Sequence, residues 1–268
     1  MGSSAQDNVA APKASPEPPA AHRPPRFRML GVCVDCVTMA ETLRQTEQFI
    51  RQGGPHHMVT LDSSMCVLAQ RDEALRRIIL SAELVVPDSA GVLWASRRLG
   101  MPLPERVSGA DLVPEIARMA SEKGWRMYLL GSKPGIAELA ARNLQSRFAH
   151  CCIAGTHHGY FSADEEAAVL EQIRQAAPHI LCVAMGIPRQ EKWIQAHRDA
   201  LNAPVMIGVG GTLDVLSGTV PRAPRWMQQR GLEWAYRLLR NPRKIGKVLT
   251  LPRFVALVLL AGRGTPPQ

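Results

Sequence analysis

The stretch Arg126-Met-Tyr-Leu-Leu-Gly131-Ser-Lys-Pro-Gly135-Ile-Ala-Glu-Leu-Ala-Ala-Arg-Asn-Leu-Gln-Ser-Arg-Phe148-Ala-His-Cys151-Cys-Ile-Ala154 sets the fold class. The apolar run Arg126–Leu130 is short enough for a buried strand. It leads into a glycine-bounded turn, Gly131–Gly135. A segment with apolar residues at helical spacing follows, Gly135–Phe148, and a second apolar run, Cys151–Ala154, closes the unit. Strand, helix and strand in that order form a crossover, because parallel neighbours need a dozen or more residues to join them.

The alternation continues in both directions. Further strands are expected at Met29–Val34, Met58–Leu61, Leu84–Val86, Ile180–Ala184 and Val205–Val209. Helical spacing marks Met39–Arg51, Ser63–Leu80, Gly91–Leu99, Ala110–Lys123, Ala163–Ala176 and Gln190–Leu201. The expected fold is α/β: a Rossmann-like, largely parallel sheet with helices on both faces, followed by a basic helical C-terminal appendage.

Composition divides the chain of 268 residues into three parts. Residues 1–26 are rich in Ala, Pro and Ser and lack the continuous apolar core of a signal peptide, so they read as a disordered leader. Residues 27–221 are expected to form the α/β domain that carries the site, and 222–268 a basic amphipathic appendage. Apolar runs fall short of the roughly 18 residues of a membrane span, so the expected location is the cytoplasmic side of a membrane. From Arg222 onward stand eight Arg, two Lys and one acid, Glu233, so the appendage carries the whole net charge of +9. A neutral body with a cationic tail requires an anionic partner. Trp226, Trp234, Tyr236 and the wholly apolar Phe254–Ala261 favour an anionic membrane surface over nucleic acid. A plainer reading stays open, in which the tail is an ordinary amphipathic helix closing the core.

Six cysteines are present. Cys33-Val-Asp-Cys36 has redox or zinc spacing, but no second pair completes a metal site, and His157-His158 reads as a loop pair. No metal site is expected.

Ligands of open α/β sheets lie at the carboxyl ends of the strands. The residues expected there are Thr60, Asp62, Asp88, Gly131, Gln190, Gly210, Gly211 and Asp214. Glycine loops opening helices present backbone N–H groups to a diphosphate. Neither loop is a Walker A sequence or a dinucleotide fingerprint, which disfavours a dinucleotide oxidoreductase. Asp88 could cap a helix or take a proton from a hydroxyl. Asp62 could cap the helix beginning at Ser63. The chain has no Asp-x-Asp, so a bound diphosphate must be met by backbone N–H groups, by Arg106 and by the tail.

In order along the chain come Thr60-Leu-Asp62, Val86-Pro-Asp88-Ser-Ala-Gly91, Pro104-Glu-Arg106-Val-Ser-Gly109, Gly155-Thr-His-His-Gly159-Tyr-Phe161, Gly186-Ile-Pro-Arg-Gln190-Glu-Lys-Trp193, Gly208-Val-Gly-Gly-Thr-Leu-Asp214, Gly218-Thr-Val-Pro-Arg222-Ala-Pro224 and Gly231-Leu-Glu-Trp234-Ala-Tyr-Arg237. Together they resemble the WecG/TagA/CpsF glycosyltransferase family from about Met29 to Phe254. The resemblance implies an inverting, metal-independent transfer of a hexose from a UDP-sugar to a polyprenyl-diphosphate-linked sugar. It places the enzyme peripherally on the inner face of the bacterial cytoplasmic membrane, in cell-surface polysaccharide synthesis. No cofactor is implied.

The resemblance also puts the catalytic base at Asp88 and an active-site threonine at Thr60. It assigns Arg106 and Gln190 to substrate, and tail cations to Arg237, Lys244 and Lys247. Two departures stand out. The family's Thr-x-Asn is Thr60-Leu-Asp62, and its Pro-Asp-Gly is Pro87-Asp88-Ser89. Asp62 sets a second carboxylate near the first, which would raise the pKa of Asp88 or change which hydroxyls are accepted. The identity of the sugars and a homo-oligomeric state stay open, as does the alternative of a nucleotide-sugar or lipid-diphosphate binding protein that has lost catalysis.

Overall fold

The structure, a computed structural model, describes residues 23–224, 226–227, 233, 235–236 and 250–261. Its first element departs from the sequence reading. Leu30 and Gly31 take φ of 51° and 75°, the left-handed geometry of a two-residue hairpin turn. The single strand expected over Met29–Val34 is therefore a hairpin of β1 (Arg26–Met29) and β2 (Val32–Asp35). Asp35 is fully buried and accepts two hydrogen bonds from Arg26, at 2.6 and 2.7 Å. It also accepts from the Val85 amide at 2.6 Å. The hairpin thereby covers the open edge of the main sheet and satisfies a backbone donor there.

Helix α1 (Met39–Gln52) starts in a capping box of Thr38 and Glu41. It is followed by β3 (His56–Leu61), α2 (Ser63–Leu68), α3 (Glu73–Ser81), β4 (Leu84–Pro87), α4 (Ala90–Arg98) and α5 (Gly109–Lys123). The helix expected over Ser63–Leu80 is thus two helices. The side chain of Asp72 accepts from the Leu75 amide and starts α3 afresh. Then come β5 (Arg126–Gly131), α6 (Ile136–Arg147), β6 (Cys152–His157), α7 (Ala163–Ala176), β7 (Ile180–Ala184), α8 (Arg189–Leu201), β8 (Val205–Gly208) and α9 (Thr212–Leu216). Beyond them lies α10 (Thr250–Leu260).

The main sheet has six strands, every pairing parallel, in the order β4-β3-β8-β7-β5-β6. Strands buried on both faces read as continuous apolar runs, as β4, β7 and β8 do, buried at every position, whereas the edge strand β6 is only partly covered. Met58, Val86, Leu129, Cys182 and Ile207 point to one face, where residues of α1, α5, α6 and α9 pack on them. Val59, Leu61 and Val85 point to the other, under α2, α3, α4 and α10. Leu130, Leu181, Val183 and Met206 continue that face under α7 and α8.

Part of the tail belongs to this second core. Phe254 of α10 is fully buried and Val258 nearly so, packed with residues of α2 and α4. No helix among the described residues is long and apolar enough to cross a membrane.

Candidate active site

The carboxyl ends of β4, β3, β8 and β7 form one edge, and the polar residues there are joined across strands. Asp88 follows β4. Its amide donates to Leu61 O at 2.9 Å, so the chain after β4 stays registered on β3. The Asp88 carboxylate does not cap α4. Ser89 does, accepting from the Val92 amide at 3.3 Å. Asp88 Oδ1 instead accepts from the Gly109 amide at 3.0 Å, at the first turn of the fifteen-residue helix α5. The partial positive charge of that helix start stabilises negative charge at the half-exposed carboxylate.

Thr60, near the end of β3, is buried. Its hydroxyl donates to Gly208 O at 2.7 Å and so ties β3 to β8. With the proton committed, the oxygen can meet a ligand only as an acceptor. Asp62, just after β3, caps α2, and its Oδ1 accepts from the Met65 amide and from Ser64 Oγ, both at 2.7 Å.

Gln190 lies in the first turn of α8 and is 1 % exposed. Its Oε1 accepts from the Gly186 amide at 3.1 Å and the Gly210 amide at 3.0 Å. One side chain thereby fixes the loops after β7 and β8 to each other. A Cβ on Gly208 would come within 2.6 Å of Gln190 Nε2, so the strand end must be glycine for the clamp to seat. Gly211 precedes α9, and the half-buried Asp214 in its first turn has its carboxylate beside that glycine.

Gly131 stands apart, on the β5 side of the edge. It takes φ of +131°, and a Cβ there would lie 2.4 Å from Ala184 O. It therefore serves the close approach of β5 to β7.

Arg106 is drawn in by the Val107 amide, which donates to Pro87 O at 2.8 Å and sets Arg106 beside the residue preceding Asp88. Arg106 Nη1 bonds Glu233 Oε2 at 3.1 Å, and its Nη2 lies 3.6 Å from Asp111 Oδ2. Arg222 Nη2 bonds the same Asp111 oxygen at 2.6 Å. Burial pushes the Asp111 carboxyl up, but hydrogen bonds from Arg222 and Ser108 and the charges of Arg222 and Arg106 hold it below its ordinary value. Burial likewise opposes the charge on Arg222, and Asp111, Glu233 and Asp88 together keep that guanidinium above its usual value. Arg237, Lys244 and Lys247 lie outside the described residues.

Apart from Asp111, this cluster lies in the blocks of sequence that carried the resemblance. Compared with protein families, the chain matches the glycosyl transferase WecG/TagA/CpsF family over residues 27–267. It belongs to that family. A relative from Staphylococcus aureus strain MW2 is 32 % identical over 237 residues, covering 88 % of this chain and 92 % of that protein. That protein is named N-acetylglucosaminyldiphosphoundecaprenol N-acetyl-beta-D-mannosaminyltransferase. Proteins of the same name from S. aureus strains NCTC 8325 / PS 47 and COL match with the same identity and coverage.

For this WecG/TagA/CpsF glycosyltransferase, the structure adds four residues to those read from sequence. Gly109 donates to Asp88, and a Cβ on it would meet Thr212 Oγ1 at 3.0 Å. Asp111 gathers the two arginines, Arg222 reaches Asp111, and Glu233 reaches Arg106. Gly109, Arg222 and Glu233 stood inside quoted motifs and could have been taken from them. Asp111 had no signal beyond its place in the first turn of a helix. Cys33 donates to Ile79 O at 3.0 Å, and burial pushes its thiol and that of Cys36 up.

Proposed function

We propose that this chain moves a hexose from a UDP-sugar to a polyprenyl-diphosphate-linked sugar with inversion at the anomeric carbon. The observation that carries the reading is the Asp88 carboxylate, seated on the Gly109 amide at the sheet's carboxyl edge beside the Arg106 loop. In the step proposed, the acceptor hydroxyl oxygen bonds to the anomeric carbon and its proton passes to Asp88. The bond from that carbon to the donor's β-phosphate oxygen breaks, and its electron pair stays on UDP. Arg106, the Gly211 amide in the loop that Gln190 holds in place, and the tail cations Arg237, Lys244 and Lys247 meet the charge of the leaving diphosphate. Thr60 and Gln190 hold the strand ends and loops in place, and Asp62 and Asp214 face the sugar and nucleoside hydroxyls.

The names of the S. aureus relatives make N-acetylmannosamine the first donor sugar to test and N-acetylglucosaminyl-diphosphoprenol the first acceptor. The experiment is a panel of UDP-N-acetylmannosamine, its uronic acid and UDP-glucose against synthetic GlcNAc- and Glc-diphosphoprenol, in EDTA. Products are read by mass spectrometry and anomeric configuration by NMR. Transfer with inversion in EDTA is the expected result. Activity abolished by EDTA and restored by Mg²⁺ or Mn²⁺ would overturn the metal-free mechanism. UDP binding without turnover on any pair would leave a binding protein.

The reading includes docking on an anionic membrane. Helix α10 turns Phe254 and Val258 inward but leaves Pro252, Ala256, Leu259 and Leu260 exposed, Leu260 at 84 %. A helix apolar on both faces needs a second apolar contact, and the cations of the tail suit a lipid surface, at about 1 kcal/mol each. Flotation with phosphatidylglycerol vesicles, weakened by Leu259→Ser with Leu260→Ser, tests this. Equal flotation of the variant would overturn it.

A further inference from the structure

The appendage holds ten cations and a single acid, and that acid is the residue that reaches the arginine of the site. Glu233 Oε2 bonds Arg106 Nη1 at 3.1 Å, with the two side chains 12 % and 21 % exposed. From the other side Asp111, anchored by Ser108 and Arg222, draws Arg106 Nη2. The guanidinium thus sits between one carboxylate of the catalytic domain and one of the tail.

An arginine side chain has about 2 kcal/mol of rotamer freedom to lose before its fork is aimed. Two carboxylates on different nitrogens remove that freedom in advance. A guanidinium carries five N–H donors. The bond to Glu233 uses one, and the Asp111 contact at 3.6 Å is electrostatic rather than a hydrogen bond. Among the described residues, donors therefore remain for a phosphate.

We propose that Glu233 is a positioning residue for Arg106: docked from the tail, its carboxylate aims the guanidinium at the diphosphate that takes the electron pair when the bond to the anomeric carbon breaks. This rests on the transfer reaction proposed above. It assigns the tail's one acid a role distinct from that of its cations. The cations favour an anionic surface, and Glu233 reports to the site that the tail is in place.

The test uses the full chain in detergent with UDP-N-acetylmannosamine and GlcNAc-diphosphoprenol. Glu233→Gln keeps size and polarity but loses the ionic bond. Misaiming a group that acts on the transition state costs about 10- to 100-fold, so kcat should fall on that scale, with the donor KM within about threefold of wild type. Thermal midpoint and vesicle flotation should be unchanged. In an Arg106→Ala background the same substitution should add no further loss, because the two residues act as one unit.

Losses that multiply across the double variant would overturn the proposal, as would wild-type kcat in Glu233→Gln. Tighter UDP binding with faster turnover would overturn it too, making Glu233 a competitor of the diphosphate for Arg106. A wild-type chain that transfers no sugar in this assay overturns the proposed reaction and this inference together. An active wild type with an unaffected Glu233→Gln overturns this inference alone.

Discussion

Strand β3 carries a buried polar side chain near each end, and the two are handled in opposite ways. Near its amino end His57 is fully buried, and neither ring nitrogen has a hydrogen-bond partner among the described residues. The Arg198–Glu83 ion pair closes that end, with Glu83 also accepting from the His57 amide at 2.7 Å. Near its carboxyl end Thr60 is also buried, but its hydroxyl is bonded, and the residues around it open onto half-exposed carboxylates and glycine loops. The amino edge of the sheet is sealed by side chains and serves stability. At the carboxyl edge loop and helix-start N–H groups have to be met, and the side chains of Asp88 and Gln190 meet them, the first half-exposed and the second buried.

The sharpest way to break this contrast is Asp88→Asn. A positioned base contributes about 10²- to 10⁴-fold, so turnover should fall on that scale. Asparagine can still accept from the Gly109 amide, so the thermal midpoint and UDP affinity should stay near wild type. Steady-state kinetics beside calorimetric UDP titration check both halves. Near-normal turnover would make the carboxyl edge as purely structural as the amino one.

The amino edge gives the next largest effect, on stability alone. Burial, reinforced by the Arg198 charge and opposed by Glu83, lowers the His57 imidazole from 6.5 to about 4. The unfolded chain therefore takes up a proton between pH 6.5 and 4 that the folded chain refuses. Stability must fall as pH drops through that window, by about 3 kcal/mol for this group. Acid also weakens the Glu83 and Asp111 contacts, whose carboxyls are held low, so the informative quantity is a difference. His57→Met should lose about 3 kcal/mol less than wild type between pH 7 and pH 4 in urea unfolding, with turnover at pH 7 unchanged. Equal acid sensitivity in the two proteins would remove His57 from the account.

How far this was legible in the sequence depends on the separation of the interacting residues. The parallel sheet followed from alternating apolar runs, because burial on both faces leaves strands without polar interruptions. The β1–β2 hairpin was missed because its turn begins with Leu30, a residue that seldom takes positive φ. The break between α2 and α3 was missed because Ala69-Gln-Arg-Asp72 contains neither Gly nor Pro. Asp88 and Ser89 are both good caps, and sequence could not say which would serve α4. The arginine network was illegible for a different reason. Arg222 and Asp111 are 111 positions apart, and Arg106 and Glu233 are 127 apart. No local pattern pairs such residues. The places of the edge residues were legible from the ends of the apolar runs alone, whereas the roles assigned to them came from the family resemblance.

A smaller effect is expected at the clamp between loops. Gln190→Ala leaves the Gly186 and Gly210 amides without their shared acceptor, at a cost of about 1–3 kcal/mol per unmet buried group, less where water enters. Thermal unfolding should report about 2 kcal/mol of loss. UDP affinity should weaken as well, because the Gly210 loop is no longer aimed. A stability loss without any change in UDP binding would show that the clamp belongs with the sealed amino edge in function.

The smallest expected effect separates the two aspartates that follow neighbouring strands. Asp62 and Asp88 have the same chemistry, but Asp62 Oδ1 is engaged with the Met65 amide and Ser64 Oγ, whereas Asp88 faces the start of α5. Asparagine caps a helix about as well as aspartate, so Asp62→Asn should cost no more than a few tenths of a kcal/mol. Turnover should stay within about threefold of wild type, well short of the loss a base would cause. Asp62→Ala, which loses the cap, should destabilise by about 1 kcal/mol and so separates capping from chemistry. If Asp62→Asn instead lost as much turnover as Asp88→Asn, the roles of the two carboxylates would be reversed, with Asp62 Oδ2 taking the proton while Oδ1 keeps its bonds to Met65 and Ser64.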